Sequence, residues 1–129
     1  IIPRGTNKFM LFLNYVSFVF FSSIFGVMKL RGLEFDRILV YQVSPITVGL
    51  PAILISWIKK APIYFWVLDQ WPETLISMGI IKSKLTIYLF SVLSRYIYSK
   101  CHIILGQSES FLKNIKKYKL NKFYSATFK

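Results

Sequence analysis

Ile63-Tyr64-Phe65-Trp66-Val67-Leu68-Asp69-Gln70-Trp71-Pro72-Glu73-Thr74 is the stretch that decides the fold. Its first six residues are aromatic, β-branched or aliphatic, follow Ala61-Pro62 and stop at Asp69-Gln70. Such a run is too short for a helix of useful length and suits a pleated surface, so it predicts a strand. Pro72 then enforces a turn. Working backwards, Ile38-Leu39-Val40-Tyr41 is a run of the same kind, broken by Ser44-Pro45 and Gly49 before Pro51 opens a helical pattern through Ile58. Working forwards, Ile80-Ile81 and Ser83 precede apolar residues at helical spacing: Leu85, Tyr88, Leu89, Val92, Leu93, Tyr96 and Ile97. His102-Ile103-Ile104-Leu105-Gly106 reads as another buried-type strand. Ser108 is then an N-cap for a helix through about Lys117, with Phe111, Leu112 and Ile115 on one face.

Strands that alternate with helices and read as continuous apolar runs predict an α/β fold, a parallel sheet with helices on both faces. Ligands of such sheets collect at the carboxyl ends of the strands. The loops Gln42 to Gly49, Asp69 to Thr74 and Gln107 to Ser110 are therefore expected along one edge. Of the five acidic residues, Asp69 and Glu73 fall in the second loop and Glu109 in the third. A carboxylate there can accept a hydrogen bond from a substrate hydroxyl, and Trp71 offers an apolar face beside it. The alternative is structural: Asp69 and Glu73 cap helix starts while Trp71 and Pro72 fill the core.

Composition narrows the class. The 129 residues fit one domain, and 17 Lys and Arg against 5 Asp and Glu give a net charge of +12. Apolar residues make up 54 % and mean hydropathy is +0.49, which excludes disorder. One cysteine, Cys101, excludes an intramolecular disulfide framework, and one histidine, His102, leaves too few soft ligands for a zinc site. Both sit at a strand's amino end, away from the ligand edge, and read as structural. The basicity has two alternative readings: a composition set by AT-rich codons, which Lys, Ile, Phe, Tyr and Asn share, or a surface attracted to anionic headgroups or phosphate-bearing substrates. Nucleic acid is not the expected partner, because the basic residues are dispersed among apolar runs.

Phe9 to Met28 is uncharged and, at about 1.5 Å per residue, long enough to cross a hydrocarbon core of roughly 30 Å. Asn14, Ser17, Ser22 and Ser23 dilute it, and Lys8, Lys29 and Arg31 at its two ends give no clear orientation. A helix packed in the domain or lying on the bilayer is the preferred reading, with a transmembrane span as the alternative. No signal peptide precedes it, and the opening Ile1-Ile2-Pro3-Arg4-Gly5 reads as the middle of a longer chain.

Four segments together carry a family resemblance: Tyr41 to Gly49, Ala61 to Leu68, Asp69 to Thr74, and Ile103 to Phe111. In that combination the chain resembles the family 4 glycosyltransferases of bacterial surface-polysaccharide synthesis. It is most similar to an amino-sugar transferase-like branch with an Asp-Leu-Trp-Pro-Glu-Ser loop, over about Pro3 to Lys117, and Pro3-Arg4-Gly5 looks like that branch's loop before its second helix. Three departures stand out. Gln70 replaces the usual Leu, the tail Asn121 to Lys129 lacks the strand and Pro-Asn turn that lead into a second domain, and no Gly-rich loop follows a first strand.

The resemblance implies a Rossmann-like sheet, the partial amino-terminal half of a two-domain GT-B enzyme. Residues 1–129 are then most of the acceptor-binding domain, the donor-binding domain being absent and this portion alone inactive. The parent enzyme would transfer a sugar from a nucleotide-sugar donor to a lipid-linked glycan acceptor in lipopolysaccharide, capsule or exopolysaccharide synthesis. It would be cytoplasmic and peripheral on an anionic membrane surface, with no cofactor and no metal. Asp69 matches the family position close to the acceptor hydroxyl and donor sugar, and takes the catalytic, acceptor-positioning role. Glu73 orients the loop or binds acceptor, and Ser44, Ser108 and Glu109 line the rim. The competing expectation is a small basic membrane protein without catalytic activity.

Overall fold

The computed structural model describes residues 8–118 and 120. Pro3-Arg4-Gly5 and the tail Asn121 to Lys129 lie outside the described residues. Helix α1 (Lys8–Lys29) is followed by strand β1 (Ile38–Gln42), a 3-10 turn (Ile46–Val48) and α2 (Gly49–Lys59). Strand β2 (Ile63–Val67), a short α3 (Glu73–Ser77) and α4 (Lys84–Lys100) come next, then β3 (Ile103–Gly106) and α5 (Glu109–Lys116). The sheet has the order β1-β2-β3, and every neighbouring pair is parallel. This is the expected α/β architecture, a partial Rossmann-like sheet flanked by helices.

Local sequence explains the element ends. Pro51 lies in the first turn of α2, where its missing N–H removes no helical bond. Lys60 closes α2 in the left-handed region, at φ 55°, and Pro62 follows. The α1–β1 connection is stapled to the end of α2: Lys59 Nζ donates to the carbonyls of Arg31 (2.9 Å) and Leu33 (2.8 Å). The Ser108 hydroxyl accepts from the Phe111 N–H at the start of α5, as an N-cap should.

Because the strand order follows the chain order, right-handed crossovers put the connecting helices on one face, and α2 there touches α4. On that face the strands bury Val40, Gln42, Ile63, Phe65, Val67 and Ile104. Each fully buried Val, Ile or Phe stabilises by about 1.5–3 kcal/mol. The Phe65 ring meets the Tyr98 ring edge-on at 5.9 Å, and burial lifts the Tyr98 phenol pKa far above its ordinary value. On the reverse face Leu39, Tyr41, Tyr64, Trp66, Ile103 and Leu105 are all at least partly exposed. Cys101 is buried, its Sγ 3.2 Å from the Ile97 carbonyl, and His102 is exposed beside Tyr64 at the amino end of β3.

Gly49 makes the α2–α4 contact possible. A Cβ there would stand 2.4 Å from Ile97 Cγ2 and 3.1 Å from Phe65 Cε2, and neither buried side chain has room to retreat. Overpacking of this kind costs about 1–3 kcal/mol, more than the gain of up to about 1 kcal/mol from replacing a helical glycine. Gly49→Ala is therefore expected to lose stability, by about 1–2 kcal/mol in urea titration; an unchanged midpoint would mean that the two helices lie further apart.

Candidate functional site

The loops after β1, β2 and β3 lie along one edge of the sheet because all three strands run the same way. The β1–β2 ladder continues one residue beyond Val67, with Leu68 N–H donating to the Gln42 carbonyl at 3.1 Å. Asp69 is thus the first residue free of the sheet. Both Ser44-Pro45, in the loop after β1, and Trp71-Pro72, in the loop after β2, are cis peptides.

Asp69 is held by its neighbour. Its Oδ2 accepts from Trp71 Nε1 at 2.8 Å, and its other carboxylate oxygen has no hydrogen-bond partner among the described residues. Trp71 is itself almost fully buried, meeting Phe90 of α4 edge-on at 5.3 Å and Tyr15 of α1 at 6.0 Å. The Trp71 carbonyl accepts from the buried Ser94 hydroxyl at 3.0 Å. Neither Asp69 nor Glu73 caps a helix through its side chain, since α3 begins after Pro72 without such a bond.

Gln70 ties the same loop to α5. Its Nε2 donates to the Phe111 carbonyl (2.8 Å) and its Oε1 accepts from Asn114 Nδ2 (2.9 Å). A leucine could make neither bond, so Gln70 has a structural role here. Glu73 adds a second tie, an ion pair with Lys117, whose ammonium is shifted down by burial. With both partners partly exposed, that pair is worth at most about 1 kcal/mol and serves orientation more than stability.

Asp69 and Ser44 line one cavity of about 340 Å³, with Trp71, Thr74, Tyr15 and Phe90 among its walls. Ser44 and Tyr15 also border a neighbouring cleft of about 410 Å³ that reaches Tyr41 and Asn14. The structure therefore brings Asp69 and Ser44 together. Glu73 is turned to Lys117, Ser108 caps α5 with its hydroxyl 2.9 Å from that of Ser110, and Glu109 stands exposed in the first turn of α5. None of these three is among the cavity's lining residues. The lining contains no Lys or Arg, so this cavity offers a carboxylate, the hydroxyl-bearing residues Ser44, Thr74 and Tyr15, and apolar walls rather than a phosphate cradle. Sequence reasoning missed Thr74 and the α1 wall. Thr74 lies inside the Asp69 to Thr74 loop that strand order puts at the ligand edge, whereas the approach of Tyr15 is purely tertiary.

Gln42, at the end of β1, is fully buried, and neither its Nε2 nor its Oε1 has a hydrogen-bond partner among the described residues. A buried unpaired amide costs about 1–3 kcal/mol. Gln42→Met, which keeps length and removes the polar atoms, is expected to raise stability by about 1 kcal/mol or more in thermal melts; a lower melting temperature would show that the amide is satisfied.

Comparison with protein-family profiles, with curated proteins and with solved structures finds no match to this chain.

Proposed function

We propose that the chain is the acceptor-binding half of a family 4-type glycosyltransferase, in which Asp69 positions the hydroxyl of a lipid-linked glycan that receives a sugar from a nucleotide-sugar donor. The observation that carries this reading is the cavity at the carboxyl edge of the sheet. There Asp69, with one oxygen fixed by Trp71 and the other unpartnered among the described residues, faces the same space as Ser44. A carboxylate so oriented accepts a hydroxyl proton or hydrogen bond without prior rearrangement. The apolar walls suit the hydrocarbon-bearing end of such an acceptor, and the lack of basic residues in the lining agrees with a donor pyrophosphate bound by the other domain. The test is transfer of labelled sugar from a panel of nucleotide sugars to membrane lipid by the polypeptide that carries this chain. Failure with every donor would sink the proposal.

A second reading, a small basic membrane protein without catalysis, is favoured by one observation. Met10–Lys29 is long and apolar enough to cross a bilayer, and only 6 % of it is buried inside the protein. Extraction decides the point: an integral span resists carbonate and requires detergent.

A further inference from the structure

Tyr15 and Ser44 border two spaces, the Asp69 cavity and the neighbouring cleft of about 410 Å³ between α1 and the loop after β1. That cleft falls within the ordinary size of small-ligand pockets, about 300–1,000 Å³. Its walls differ in kind from those of the Asp69 cavity, where Leu11, Leu75, Met78, Ile80, Ile81 and Phe90 supply an apolar lining. The cleft instead combines the aromatic rings of Tyr41, Tyr15 and Phe18 with the amide-bearing Asn14 and the hydroxyl-bearing Ser44. Tyr41 is 59 % exposed, yet its ring is braced edge-on against Trp66 at 5.3 Å. A ring so held is open to a ligand without being loose.

These walls define the chemistry of what they can hold. An aromatic ring packs against the C–H face of a pyranose, while hydroxyls and an amide, which both donate and accept, match its hydroxyl rim. No Lys, Arg, His, Asp or Glu lines the cleft, and the charge in the adjoining cavity is the carboxylate of Asp69. A phosphate or carboxylate on the ligand would therefore lose its hydration with no cation to meet it. Nucleotides, phosphorylated sugars and uronic acids are disfavoured on that ground, and an uncharged sugar fits.

We infer that the Tyr41 cleft recognises the sugar of the acceptor and that this sugar is an uncharged pyranose, its ring against Tyr41 and its reacting hydroxyl reaching Asp69 past Ser44 and Tyr15. Tyr41 is then a specificity-determining residue. That the bound sugar is an acceptor rests on the glycosyltransferase reading, whereas the preference of the cleft is measurable without transfer.

Saturation-transfer NMR titration of methyl glycosides against the polypeptide that carries this chain, with no donor present, tests it. Among neutral hexosides and N-acetylhexosaminides, at least one should bind about fivefold or more tightly than methyl glucuronide, whose charge the cleft leaves unmet. Tyr41→Ala should weaken that binding by at least about fivefold, the share of one aromatic contact. Tyr41→Phe keeps the ring and should retain binding. The control is Leu39→Ala, two residues earlier on the same face of β1, 63 % exposed and outside the cleft; it should bind like wild type. Failure of every neutral glycoside to bind, preference for the glucuronide, wild-type binding by Tyr41→Ala, or an equal loss in Tyr41→Phe or in the control would overturn the subsite, even in a polypeptide that transfers sugar. Tyr41-dependent binding in a polypeptide that transfers sugar from no donor would uphold the cleft as a sugar site and overturn the transferase reading alone.

Discussion

Asp69→Asn is expected to lower sugar transfer by about 10²- to 10⁴-fold, the range associated with loss of a positioned acid–base group, with little change in melting temperature. The side chain keeps its shape and an oxygen able to accept from Trp71 Nε1, now 2.8 Å from Oδ2; what disappears is the negative charge facing the cavity shared with Ser44. A purely structural Asp69 makes the opposite prediction, unchanged turnover. Measuring transfer and thermal unfolding on one preparation of the polypeptide that carries this chain separates the two cases. Near-normal transfer would remove Asp69 from the chemistry.

Trp71→Ala carries the largest expected loss of stability, about 3–5 kcal/mol, as for other large aromatic deletions from a core. The indole is almost fully buried and packs edge-on against Tyr15 and Phe90, so its removal opens a void where α1, α4 and the β2 loop converge. Trp71→Phe keeps most of the packing but removes the N–H that holds Asp69. That variant should stay folded and lose transfer, which distinguishes positioning of the carboxylate from support of the core. Urea unfolding paired with the transfer assay checks both; a Trp71→Ala protein as stable as wild type would show that the ring is not a core element.

The strands were legible because their signal is local. Ile38-Leu39-Val40-Tyr41, Ile63 to Leu68 and Ile103-Ile104-Leu105-Gly106 are short apolar runs between turn residues, and each forms a strand at that place. The helix expected from Pro51 begins at Gly49, because the 3-10 turn over Ile46–Val48 feeds into it. The sequence signals only a turn where α3 forms, since its five residues are too few to show a period. At the site, the Asp69 to Thr74 loop announced itself through scarce carboxylates at a strand end. Which of its polar groups would face a cavity depended on partners far along the chain. Glu73 meets Lys117 and Gln70 meets Asn114, both 44 residues away, and no local pattern encodes either pairing.

The paired bonds of Gln70 have a mechanical consequence. One amide group grips both the Phe111 carbonyl and the Asn114 side chain, one turn apart on α5, and two anchors resist rotation where one would act as a pivot. Gln70 is also the residue next to Asp69. The loop that carries the carboxylate is thereby fastened to α5 at two points, immediately beside Asp69.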